Sequence, residues 1–238
     1  MWLLLDKCAK GLLSVVLPVS CACCGCAVGG LAEGSVCESC WQKVRRPDFR
    51  RACCRRCTKP YPVEIAECDL CKDLAFRKAV YCGVYEGAIR NVVLELKTLP
   101  HLPKKAKQLL FDTYLEASLS CDVIVPVPLH PDRLKERGYN QAEVIAKALS
   151  QMTGIEVDSI SLIRVRKTVK NRAWATRTDR IRELKGAFRI CKPRRIANRS
   201  VLLIDDLYTT GSTATACAQA LLDSGAKDVS VITLARRL

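Results

Sequence analysis

Histidine is nearly missing from this chain: two in 238 residues, His101 and His130. Both lie outside its cysteine-rich first part, so mixed Cys/His metal sites are not expected there. Aromatic residues make up 5%, too few for an extended surface on which unpaired bases stack. The patterns G-x-x-x-x-G-K-[ST] and G-x-G-x-x-G are both absent, which removes the P-loop and the dinucleotide-binding readings. No apolar run reaches the roughly 20 residues of a membrane-crossing helix. Near the start, Trp2 to Leu5 and Leu12 to Leu17 are apolar. No positive residue precedes the first run, and Asp6, Lys7 and Lys10 follow it, so neither a secretory leader nor a lipidated Cys21 is expected. Leu5, Cys8, Leu12, Val15 and Val16 recur near helical spacing, which predicts a short amphipathic helix over 1–17, ending before Pro18.

Cysteine, by contrast, is plentiful. Twelve of the sixteen fall between residues 1 and 71, largely as C-x-x-C pairs. The other four, Cys82, Cys121, Cys191 and Cys217, stand singly in apolar settings that suit buried structural thiols. This asymmetry favours zinc ligation in a reducing cytoplasm over a secreted disulfide framework. Cys21 and Cys24 pair with Cys37 and Cys40, and Cys54 and Cys57 with Cys68 and Cys71. Each C-x-x-C knuckle offers two thiolates, and two knuckles close a structural four-cysteine site with no open position for a catalytic water. The two similar halves predict a double zinc ribbon over 18–75. Cys23-x-x-Cys26 is a rival knuckle, Cys53 adjoins Cys54, and an interleaved pairing stays open. Cys21 and Cys24 are preferred because Gly25 relieves the tight turn after the second thiolate.

Lys and Arg number 39 against 24 Asp and Glu, a formal charge of +15. That excess favours polyanions: nucleic acid, pyrophosphate-bearing ligands or anionic lipid. Lys43, Arg45, Arg46, Arg50, Arg51, Arg55 and Arg56 form a basic run between the two ribbons. It reads either as a solvated face or as a contact surface for single-stranded DNA or a protein partner.

From residue 76 to 238 strand and helix patterns alternate, which predicts an α/β fold with a doubly wound parallel sheet. Phe76 to Tyr85 alternates as a strand, and Gly87 to Leu99 carries Ile89, Val92, Val93 and Leu96 on one helical face. A second helix follows Pro103, and Val123 to Pro128 reads as a buried strand. The loop expected from Leu129 to Tyr139 holds His130, Arg133, Lys135, Arg137 and Gly138. Basic groups and a glycine beyond a central strand suit a pyrophosphate, with Arg133, Arg137 and Gly138 as the candidates. A helix is expected from about Asn140, and Asp228 to Leu234 reads as the last strand.

The most informative stretch runs from Val201 to Leu222. Four apolar residues meet two acids, Asp205 and Asp206, then Thr209, Thr210, Gly211, Ser212 and Thr213, and then a helix pattern. A hydroxyl-rich turn opening a helix offers free N–H groups and a positive dipole end to a phosphate. The carboxylates suit vicinal hydroxyls or a hydrated Mg²⁺.

This stretch resembles the phosphoribosyl-pyrophosphate (PRPP) motif of type I phosphoribosyltransferases. The resemblance implies that Asp205 and Asp206 face the ribose hydroxyls and that Thr209 to Thr213 wrap the 5′-phosphate. Upstream, the segment from Asp122 to Leu149, and Tyr85-x-Gly87-x-Ile89-Arg90 followed by Lys97, resemble signatures of the ComF competence-protein family. Leu162-x-Arg164-x-Arg166-x-Thr168 and Gly186-Ala187-Phe188 fit its next block, with Asn171 and Glu183 as departures. The resemblance spans nearly the whole chain. It implies a cytoplasmic protein with a type I phosphoribosyltransferase fold behind the four-cysteine zinc ribbons, acting in DNA uptake during natural transformation, with a DNA-translocating helicase as partner. It also implies a flexible loop over 162–188 that closes on PRPP, with Arg172, Arg177 and Arg180 supplying charge to the leaving pyrophosphate. The alternative is an active transferase of nucleobase salvage with no DNA role.

Overall fold

The apolar run Val201–Ile204 is a central strand of a parallel sheet. The computed structural model describes residues 20–28, 34–49, 51–167 and 177–238. The helix expected over 1–17, Arg50 and the candidate Arg172 lie outside the described residues; for Arg177 and Arg180 only the backbone is described. Four strands, β1 (Lys78–Val84), β2 (Val123–Pro126), β5 (Ser200–Tyr208) and β6 (Asp228–Arg236), lie in the order β1-β6-β5-β2. All three pairings are parallel, with Val201 opposite both Val123 and Val229. Val157 adds a single parallel bridge to Ile124 beyond β2. The short strands β3 (Leu162–Arg164) and β4 (Phe188–Ile190) form a separate antiparallel pair.

Helices cover both faces, because each central strand is apolar on both sides. One face packs against α2 (Gly87–Glu95), α3 (Lys104–Glu116) and α5 (Gln141–Thr153), through Ile89, Val93, Leu110, Ile145 and Leu149. The other packs against α7 (Ser212–Asp223) through Cys217, Ala218 and Leu221, with Leu184 of α6 (Arg177–Leu184) and Phe188 beside them. The cysteine-rich segment divides between the faces. Cys21, Cys40 and Trp41, the last two on the short helix α1 (Glu38–Gln42), join the first core. Cys54, Cys57, Cys68, Cys71, Leu74 and Phe76 join the second.

Two expectations need correction. The stretch Leu129 to Tyr139 is not all loop: Pro131–Arg137 forms a helix, α4, because Pro131 suits a first helical position and the His130 ring caps it by accepting from the Asp132 amide at 3.3 Å. Strand β5 carries both acids near its carboxyl end. It runs on to Tyr208 because β6 pairs with it out to Arg236. Cys191 is exposed, not buried; its thiol donates to the Ile160 carbonyl at 3.0 Å. Among the described residues no helix is long and apolar enough to cross a membrane.

At the outer edge, the Asp158 side chain is fully buried and accepts from Ser161 Oγ (2.6 Å), the Ser161 and Ile160 amides (2.9 and 3.0 Å) and Arg195 Nε (3.0 Å). Burial alone would push its carboxyl up, but these four donors outweigh it and hold the group below its usual range. A depressed carboxylate stabilises the fold fully above its unfolded pKa of about 4, and the stabilisation is lost as pH falls through the lower folded value. Asp158→Ala should therefore cost about 3 kcal/mol in urea unfolding near neutral pH. The difference from the parent should shrink as the measurement moves into acid.

Candidate functional site

Cys21, Cys24, Cys37 and Cys40 converge in one group, and Cys54, Cys57, Cys68 and Cys71 in another; within each, the sulfurs lie within 4.8 Å of one another. A tetrahedral ion with metal–sulfur bonds of about 2.3 Å requires sulfur pairs about 3.8 Å apart. The observed separations match that edge: 3.6 Å for Cys24–Cys37, and 3.8, 3.8 and 3.5 Å for Cys54–Cys71, Cys57–Cys68 and Cys68–Cys71. Both groups are compatible with structural zinc. The amides of Cys23 and Cys37 point at Cys21 Sγ, at 3.4 and 3.3 Å, as donors do to a thiolate. In both first knuckles the residue after the second cysteine is left-handed: Gly25 at φ 76° and Thr58 at φ 54°. Thr58 is held there by bonds from its hydroxyl to the Cys57 and Ala79 carbonyls. Cys23, Cys26 and Cys53 stand outside both groups.

The acids and the hydroxyl-rich turn lie at the carboxyl end of β5. Asp206 is buried, and its amide donates to Asp205 Oδ1 at 2.9 Å. Burial, and then the neighbouring Asp206 charge, push the Asp205 carboxyl well above the ordinary range. A bound cation would relieve that cost. Gly211 caps α7 at φ 78°. Thr210 Oγ1 lies 2.8 Å from Ser212 Oγ and 3.4 Å from its amide, which folds the turn back on itself. Thr213 and Ala214 occupy the first turn of α7, where N–H groups lack helical acceptors. The hollow lined by Asp205, Thr209, Gly211, Ser212 and Thr213 measures only about 20 Å³, room for a water but not for a sugar phosphate. A larger hollow, about 740 Å³, lies elsewhere, beside Phe49, Cys53 and Lys78.

Helix α4 begins beyond β2, whose neighbour Val127 donates its amide to Ile204 of β5. It therefore begins at the same end of the sheet as the acids. Its candidates are already engaged: Arg133 pairs with Glu136 at 2.8 Å, Arg137 donates to Gln141, and the Gly138 amide closes the helix on Leu134. Lys167, after β3, reaches Asp132 of α4 at 2.8 Å. Two residues matter that sequence reading did not place in a site. Arg164 lies half-buried over the Phe188 ring at 5.5 Å, where its charge draws the Asp205 carboxyl down. Arg236 is buried against Tyr208 at the base of the turn. The family-like block containing Arg164 was the only signal for the first, and nothing in the spacing marked the second.

The basic run is largely neutralised. Arg45 pairs with Glu86, Arg46 with Glu116, Arg51 with Asp48, Arg55 with Glu64 and Arg56 with Glu67. Such half-exposed pairs contribute little stability, but they leave less free charge for a polyanion than the composition implies. If both cysteine groups bind zinc, metal analysis of the full chain should give two equivalents. Cys57→Ser with Cys68→Ser should hold one and melt at least about 5 °C lower, since this group sits in the core of one face.

No protein-family model matches the chain. The chain is 31% identical over 217 residues to DNA utilization protein YhgH of Salmonella typhimurium, covering 87% of this chain and 93% of that protein. It is 26% identical over 216 residues to competence protein F of Haemophilus influenzae, covering 87% and 92%. Among solved structures, an orotate phosphoribosyltransferase of Mycobacterium tuberculosis is 17% identical, with a TM-score of 0.34 over 63% of this chain and 67% of that one. Identity at this level across nearly the full length of YhgH means that the chain belongs to the ComF family of DNA utilization and competence proteins.

Proposed function

We propose that the protein binds PRPP or a related phosphoribosyl ligand with Mg²⁺ at the carboxyl end of β5, and that it acts in DNA uptake during natural transformation. The observation that carries the ligand is the join of β5 to α7: two acids on the strand, a left-handed glycine, and a helix opening on hydroxyls. In this reading Asp205 and Asp206 accept from the ribose hydroxyls, and Thr209, Thr210, Gly211, Ser212 and Thr213 enclose the 5′-phosphate. Mg²⁺ supplies charge neutralisation to the pyrophosphate, for which the paired carboxylates are a suitable oxygen set. Arg133 and Arg137 turn from their present partners to the pyrophosphate, Gly138 allows it a close approach, and Arg172, Arg177 and Arg180 add charge as it departs. Zinc in the two cysteine groups is structural.

The DNA role is supported by the names of the relatives, one a DNA utilization protein and one a competence protein. Single-stranded DNA and a competence helicase in the cytoplasm are its proposed partners. The second reading, a salvage phosphoribosyltransferase without a DNA role, is favoured by the same strand–turn–helix and separated by pyrophosphate release with an acceptor base.

Calorimetric titration of the zinc-loaded chain with PRPP and Mg²⁺ tests the ligand. The parent should bind, and Asp205→Asn with Asp206→Asn should weaken binding at least about 100-fold, the loss of two charge-assisted contacts. Because burial and the neighbouring Asp206 charge hold the Asp205 carboxyl well above the ordinary range, affinity should begin to fall on acidification at a higher pH than an ordinary carboxylate of about 4 would require. A folded parent that takes up no PRPP rejects the ligand.

A further inference from the structure

We infer that the second four-cysteine group positions the phosphate loop through Arg236 and Tyr208, so that metal occupancy of the one and ligand binding at the other are coupled. The side chains form a continuous chain. Arg236, at the end of β6, is 5% exposed. Its guanidinium donates to the Cys57 carbonyl and lies 3.6 Å from Cys57 Sγ. The same group lies over the rings of Tyr208 and Tyr81, at 4.9 and 5.5 Å to their centroids. Tyr208 in turn stands edge-on to Phe76, with centroids 6.3 Å apart. It also floors the loop: a Cβ on Gly211 would come within 2.9 Å of Tyr208 Cζ and 3.3 Å of Leu74 Cδ2. Leu74 follows directly on the second group, its amide bonded to the Cys71 carbonyl at 2.9 Å. The left-handed turn that opens α7 therefore rests on one side chain held by Arg236 and on another held by the cysteine segment.

The electrostatics require the same link. A buried guanidinium without a compensating charge is strongly destabilising. Among the described residues no carboxylate pairs with Arg236; it has a carbonyl, a sulfur and two aromatic faces. Four thiolates around one divalent ion carry a net charge of about −2, and that is the counter-charge within reach of Arg236. Cation–π contact with Tyr208 then passes the position of the guanidinium to the loop. The first four-cysteine group lies against the opposite face of the sheet, which makes it an internal control. By linkage, a ligand that orders the loop must also retain metal in the second group.

Hydrogen exchange on the zinc-loaded full chain tests this without any ligand. Tyr208→Leu should speed exchange of the amides of residues 207–216 about tenfold while α5 stays protected and both zincs are kept. Arg236→Gln should do the same and also speed chelator-driven loss of zinc from the second group, with Arg236→Lys intermediate. In the parent, chelation combined with peptide-resolved cysteine alkylation should deprotect the loop in step with Cys54–Cys71 and not with Cys21–Cys40. Loop exchange that stays at its parental rate in both Tyr208→Leu and Arg236→Gln, or after the second group alone is emptied, overturns the coupling. If Arg236→Gln unfolds, as loss of protection in α5 would reveal, Tyr208→Leu and the parent decide the matter.

The reciprocal arm rests on the phosphoribosyl reading and uses ribose 5-phosphate. It should slow alkylation of Cys54–Cys71 at least about fivefold and leave Cys21–Cys40 unchanged. Bound ribose 5-phosphate without that protection counts against the coupling. Absence of binding counts against the phosphoribosyl reading, while the exchange measurements still judge the coupling.

Discussion

A strand buried on both faces and paired on both edges can place charge only near its end, and β5 is such a strand. Val201 to Ile204 are each no more than 1% exposed, with β2 on one edge and β6 on the other. Its first polar side chains after that run are Asp205 and Asp206, where β2 has already turned away into α4. The carboxylates are thus delivered to the same end of the sheet as the opening of α7 and the basic residues of α4. Everything proposed for the ligand depends on that convergence, which is the general geometry of binding at the carboxyl ends of parallel strands.

The cysteine groups belong to the same economy of burial. Each of the two cores contains cysteines alongside aliphatic residues from the strands and helices. Small cysteine-rich segments rarely bury enough apolar surface to hold themselves together, and crosslinking through a metal substitutes for it. Here the second segment also covers Phe76 and approaches Tyr208 through Arg236. In the proposed coupling, a group with no open coordination position bears on the loop without touching its ligand.

Charge tells a more restrained story than composition. The formal charge of +15 is real, yet Arg45, Arg46, Arg51, Arg55 and Arg56 are tied to Glu86, Glu116, Asp48, Glu64 and Glu67. Two of these pairs, Arg45–Glu86 and Arg46–Glu116, tie the cysteine-rich segment to the start of α2 and the end of α3, and the other three lie within the segment. A nucleic-acid surface on this segment would have to compete with them for the same guanidinium groups, so its affinity would depend strongly on salt.

Some of this was legible in the sequence for local reasons. The C-x-x-C spacings specify which thiolates share a knuckle, the run Val201–Ile204 specifies a doubly covered strand, and two acids before a hydroxyl-rich glycine turn specify a strand–turn–helix. Each of these patterns is complete within about 20 residues, the range over which backbone geometry alone relates side chains. What lay beyond that range was decided by tertiary structure. The extension of β5 to Tyr208 depends on its pairing with β6. The ion pairs of Arg45 and Arg46 join residues 41 and 70 positions apart. Arg236 meets Cys57 across 179 positions. No spacing rule reaches so far: a buried cation finds its partners only once two faces of a sheet have been closed over it, and that closure is a property of the whole fold.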